Sequence, residues 1–108
     1  MHDGLSKSTE EIKLPGQHIV LVEFNNGVAE DAKMAALQSV HALQGKIEGV
    51  TSGKDFSGRA GDCTHSVIVT MRDKSVLAEY GPHPAHKEVQ SILGPIVKTL
   101  WVVDFEPS

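Results

Sequence analysis

The 108-residue chain predicts an α+β domain built as β-α-β-β-α-β, with one four-stranded antiparallel sheet and both helical segments on one of its faces. Three observations predict it. Short β-branched runs alternate with helix-period stretches in that order, turn residues separate them, and the composition is that of a single compact domain, with 40% hydrophobic and 22% charged residues.

Residues 1–16 are polar, end in Pro15-Gly16, and read as an arm leading into a domain over residues 17–108. The run from Gln17 to Phe24 is apolar, β-branched and closed by the turn Asn25-Asn26-Gly27, so it is the first strand. Between Ala29 and Ile47, Ala36, Val40, Leu43 and Ile47 fall at helical spacing, behind Glu30 and Asp31 where the helix dipole favours acids. Val50 to Phe56 predicts a weaker strand before the glycine-rich loop Ser57 to Asp62, and His65 to Met71 a strong third strand. Ser75 to Tyr80 and Pro84 to Leu93 predict an interrupted second helix stopped by Gly94-Pro95, and Leu100 to Phe105 the last strand. Together these elements make the ferredoxin-like plan.

Both sheet faces are apolar, which the plan alone does not accommodate. Val20, Val22 and Phe24 point one way and Ile19 and Leu21 the other, while Leu100 and Val102 oppose Trp101, Val103 and Phe105. Two helices cover one face. A face bearing Ile19, Leu21, Ile68, Trp101, Val103 and Phe105 exceeds the few hundred Å² that a monomer leaves open, so a homodimer formed by sheet-to-sheet packing is expected.

Composition narrows the partners. The net charge of -4, with lysines and arginines scattered, offers no field for a phosphate backbone, so no nucleic acid is expected. No stretch approaches the roughly 18 apolar residues of a membrane span, and Met1 to Gly16 lacks the apolar run of a secretory signal, so no membrane contact and a cytoplasmic location are expected. Cys63 is the single cysteine and reads as a buried strand residue, which rules out an internal disulfide and a cysteine-based zinc site. The histidines lie on different elements, so no metal centre and no cofactor are expected.

The richest segment chemically is Tyr80-Gly81-Pro82-His83-Pro84-Ala85-His86. Proline lacks an N–H and biases the preceding residue away from the α region, so the helix should break at Gly81 and resume at Pro84, a favoured first helical residue. His86 is then at the third position of a new helix, where the positive end of the dipole disfavours imidazolium and keeps a proton acceptor available near pH 7. Asp104, set among Val102, Val103 and Phe105, requires a partner, and His86 is a candidate; a backbone turn or a lysine is the alternative. His18 and His65 alternate in phase with Val20 and Val67 and read as hydrogen-bonded groups at the edge of the core, while His41 and His2 read as solvated.

Five motifs in register, H-x-V-L-V-x-F at His18–Phe24, G-K-D-F-S at Gly53–Ser57, T-H-S-V-I-V-T at Thr64–Thr70, Y-x-x-H-P-A-H at Tyr80–His86 and V-V-D-F at Val102–Phe105, resemble the stress-responsive dimeric α/β-barrel proteins. The resemblance runs over Gln17–Glu106 and implies a homodimer whose two sheets close into one barrel. The family includes plant stress proteins, bacterial proteins without an assigned activity, and plant polyketide cyclases that close a poly-β-keto chain by aldol condensation. By resemblance to the cyclases, Tyr80 and His86 are the catalytic pair and Asp104 orients the histidine. The pocket would be lined by His18, Val20, Val22, His65, Val67 and His83. Aldol closure needs a base for a proton α to a carbonyl and a donor for the developing oxyanion, roles that suit a histidine and a phenol. Two readings follow: a small cyclase-like lyase or isomerase acting on an apolar or carbonyl compound, and a non-catalytic stress-responsive dimer or small-ligand binder.

Overall fold

The computed structural model describes residues 14–41 and 47–107. Strands β1 (Gly16–Phe24), β2 (Gly49–Lys54), β3 (His65–Met71) and β4 (Val97–Phe105) form one antiparallel sheet in the order β2-β3-β1-β4. Helices α1 (Glu30–Gln38), α2 (Val76–Tyr80) and α3 (Pro84–Leu93) lie on one of its faces. This is the ferredoxin-like fold expected from the element order. The positions read for the arm over 1–13, for His2 and for Leu43 lie outside the described residues.

The core forms where the inward faces of β1 and β3 meet the helices. Val22, Leu37 and Val69 are essentially inaccessible to solvent, joined by Phe24, Val40, Val67, Val76 and Val89. Ala36, Val40 and Ile47 are buried as their spacing predicts, and Leu37 beside them is buried as well, because the apolar stripe of α1 is wide enough to take two adjacent positions. Alternation along β3 is complete, with every second residue from His65 to Met71 buried.

Two strand boundaries differ from the expectation. β2 stops at Lys54 instead of reaching Phe56, because the Asp55 carboxylate accepts hydrogen bonds from Ser57 Oγ at 2.8 Å and from Gly58 N–H at 2.6 Å, closing a turn that directs Phe56 into solvent. Gly58 sits at φ +70° in that turn, a conformation glycine adopts freely. β4 begins at Val97, three residues earlier than Leu100, since pairing with β1 carries it through the polar Lys98 and Thr99. Cys63 is buried as expected, in the turn before β3 and not in a strand, and burial pushes its thiol pKa up.

The outer face is as the alternation predicts. Ile19 pairs with Ile68 on one side and Val103 on the other, and Leu21 pairs with Trp101. In the single chain Trp101 is 63% exposed, Val103 53% and Phe105 45%. Leu100 and Val102, on the opposite side of this edge strand, are also about half exposed, so β4 stands open on both faces.

Candidate functional site

The proline-interrupted helix folds as its residues dictate. α2 ends at Tyr80, Gly81 and Pro82 turn the chain, and α3 restarts at Pro84 with His83 as its N-cap. The His83 Nδ1 accepts the Ala85 N–H at 3.0 Å, so this histidine satisfies a helix end. His86 Nδ1–H donates back to the Gly81 carbonyl at 3.1 Å, which locks the turn.

This turn stacks the two side chains of interest. The rings of Tyr80 and His86 lie 4.2 Å apart at an angle of 39°. A third ring joins them from the sheet: His18 on β1 meets Tyr80 edge-on at 5.8 Å. Antiparallel pairing of β1 with β4 places His18 directly opposite Asp104, and His18 Nδ1 lies 2.5 Å from Asp104 Oδ1. The aspartate expected to orient His86 orients His18 instead, because cross-strand register brings the two β-strand residues together while His86 is held by its own turn.

His18 and Tyr80 open on a cavity of about 110 Å³ between the sheet and the helices. Its other walls are aliphatic, with Val20, Val22, Val67, Val69, Val89 and Val102 among them. His65 and His83 are not among the lining residues, nor is His86. His65 is completely buried at the other end of β3. There it meets Thr64 Oγ1 at 2.7 Å and Glu30 Oε2 at 3.0 Å, with Phe24 edge-on at 5.2 Å. The hydrogen bond from His65, reinforced by Lys54 and Lys33, holds the Glu30 carboxyl below its ordinary pKa. His65 is thus a bonded core residue tying β3 to α1, in keeping with its reading as a hydrogen-bonded group. The pairing with Glu30 was not visible in the sequence, because it joins residues 35 positions apart.

The model of the stress responsive A/B barrel domain matches residues 17–107. The chain belongs to this family. It is 34% identical over 105 residues to the stress-response A/B barrel domain-containing protein HS1 of Arabidopsis thaliana, covering 92% of this chain and 95% of that one. Among solved structures, a dimeric ferredoxin-like protein of unknown function from Thermobifida fusca superposes with a TM-score of 0.75 at 20% identity, over 88% of this chain and 92% of its own. The hydroxynitrile lyase of Passiflora edulis superposes with a TM-score of 0.78 at 15% identity, over 90% and 96% of the two chains. These last two likenesses are of fold.

In this A/B barrel domain the two ring side chains on the cavity wall are of complementary kinds, an acceptor and a donor. With Nδ1 engaged by Asp104, the Nε2 of a neutral His18 ring carries the lone pair. Tyr80 is the complementary donor, since burial pushes its pKa up to about 12 and the phenol keeps its proton at any physiological pH. Among the described residues no three His, Cys, Asp or Glu side chains converge as metal ligands. No helix among them is long and apolar enough to cross a membrane.

Tyr80 is the only tyrosine of the chain, so its ionisation is directly measurable. An ultraviolet titration is expected to show a single phenolate transition near pH 12 in the folded protein, against the roughly 10 of a free phenol. Between those two values the unfolded chain has lost the proton and the folded one retains it. Stability should therefore fall as pH rises through this window, and Tyr80→Phe should remove that contribution. A transition at pH 10 in the folded state would mean that the phenol is solvated.

Proposed function

We propose that this A/B barrel protein acts as a homodimer that performs acid–base chemistry on a small carbonyl compound, abstracting a proton α to the carbonyl as in aldol-type cyclisation or isomerisation. The observation that carries the reading is the His18–Asp104 pair set beside the Tyr80 phenol at the end of an apolar cavity. His18 Nε2 takes the α-proton, and Asp104 fixes the ring orientation and favours the imidazolium that forms. The Tyr80 O–H donates to the oxygen on which enolate charge builds. His86, packed on the Tyr80 ring and tied to Gly81, is a positioning residue for the phenol. The aliphatic walls offer no polar group that would compete with His18 and Tyr80 for the ligand.

The homodimer rests on the open face of Ile19, Leu21, Ile68, Trp101, Val103 and Phe105, and on the dimeric description of fold neighbours such as the Thermobifida fusca protein. A hydroxynitrile lyase on the same fold is in keeping with an active site in this architecture. The reading is tested by incubating the protein with small ketones in heavy water and following loss of the α-proton signal by NMR. Exchange well above the buffer rate is expected. No exchange with any ketone or aldehyde across a broad set would leave a ligand-binding dimer as the function.

A further inference from the structure

The cavity at His18 and Tyr80 has a composition that specifies its ligand. Apart from those two groups, every lining side chain is valine or leucine, and no lysine or arginine is among them. Its volume of about 110 Å³ leaves room for a short guest only. Valine is stiff about its single side-chain torsion, so walls such as Val20, Val67 and Val69 cannot swing aside for a larger guest. Leu93 and Leu100 line both this cavity and an outer groove of about 420 Å³ between α3 and β4, so they form the threshold between them. In that groove the Lys98 ammonium faces Glu23 at 3.6 Å.

Building on the carbonyl reading of this site, we propose that its ligand is a neutral, short, aliphatic ketone or aldehyde of roughly four to six carbons, held by its oxygen at Tyr80 and by its alkyl part among the valines, and that carboxylates are refused. The charge argument is specific. A ligand carboxylate would leave water for a cavity without a lining cation, and would face the Asp104 carboxylate behind His18. The length argument rests on the threshold. Each methylene placed inside the valine walls leaves water and should tighten binding roughly fourfold, whereas carbons beyond Leu93 and Leu100 enter an open groove and gain little.

The test is binding and not turnover. Protein with labelled valine and leucine methyl groups is titrated with 2-ketones from butan-2-one to decan-2-one, with 3-methylbutan-2-one, and with 2-methylpropanoate as the anion of matching shape. Saturable shifts of cavity valine methyls are expected, with affinity climbing to about six carbons and then levelling, and with the anion at least tenfold weaker than the branched ketone. Affinity that keeps climbing to ten carbons, equal binding of the anion, or no ketone binding would each overturn the proposal. Val89→Leu, which adds one carbon to the wall, should move the optimum to a shorter ketone, the methyl spectrum itself reporting that the variant is folded. Ketones that bind as expected without α-proton exchange would sink the catalytic reading and leave this one standing. Exchange restricted to long or acidic substrates would do the reverse.

Discussion

Replacing Val103 by Asp is expected to yield a folded monomer at micromolar concentration, where the unaltered chain sediments as a dimer. Val103 is at the middle of the apolar outer face, across from Ile19 and between Trp101 and Phe105 along β4. At about 25 cal/mol per Å², covering such a face on two subunits contributes on the order of 10 kcal/mol before the costs of association. In the single chain the position is half exposed, so an aspartate there remains hydrated and the fold persists. Within a dry interface the same carboxylate would have no cation, at a cost of several kcal/mol, which weakens the dimer by roughly 10³-fold or more. Trp101 is the sole tryptophan and lies on the same face, so its emission should be blue-shifted in the dimer and red-shifted in the variant. A dimeric Val103→Asp protein, or an unaltered chain that is monomeric and insensitive to dilution, would show that this face is not the interface.

His18→Ala is expected to lower the α-proton exchange rate by roughly 10²–10⁴-fold with the fold retained, the usual span for a general base. The geometry makes this variant decisive, because His18 lines the cavity and is held by Asp104, while the His86 ring lies against Tyr80 with its Nδ1 committed to Gly81. Tyr80→Phe should cost on the order of 10²–10³-fold as the loss of one oxyanion donor. Asp104→Asn should give a smaller loss than His18→Ala, since the ring keeps a hydrogen-bonding neighbour but loses the anion that favours imidazolium. Should His86→Ala prove the more damaging of the two histidine variants, the base is His86 and the roles assigned to the two rings must be exchanged.

Much of the architecture is legible along the chain because it is carried by local periodicity. The alternation along β3 from His65 to Met71, the helix restart at Pro84 and the two apolar faces of β1 each follow from residues a few positions apart. The stress-responsive A/B barrel family is legible too, since its motifs run nearly the whole domain. The partner of Asp104 was within reach of the same reasoning. Antiparallel pairing of the first and last strands sets a residue near the start of one against a residue near the end of the other, and His18 and Asp104 share the phase of the facing pair Val20 and Val102.

Other features depend on contacts that no local pattern encodes. The burial of His65 against Glu30, the edge-on approach of His18 to Tyr80, and the enclosure of a cavity of about 110 Å³ by valines from both helices and sheet all join distant segments. The sequence by itself determined the order of elements, the proline break that presents Tyr80 and the doubly apolar sheet, because hydrophobic period and backbone chemistry act over a few residues. Only the tertiary structure decided which imidazole lines the cavity and which is held against its own turn, because those choices turn on the ångström-scale placement of rings from separate elements.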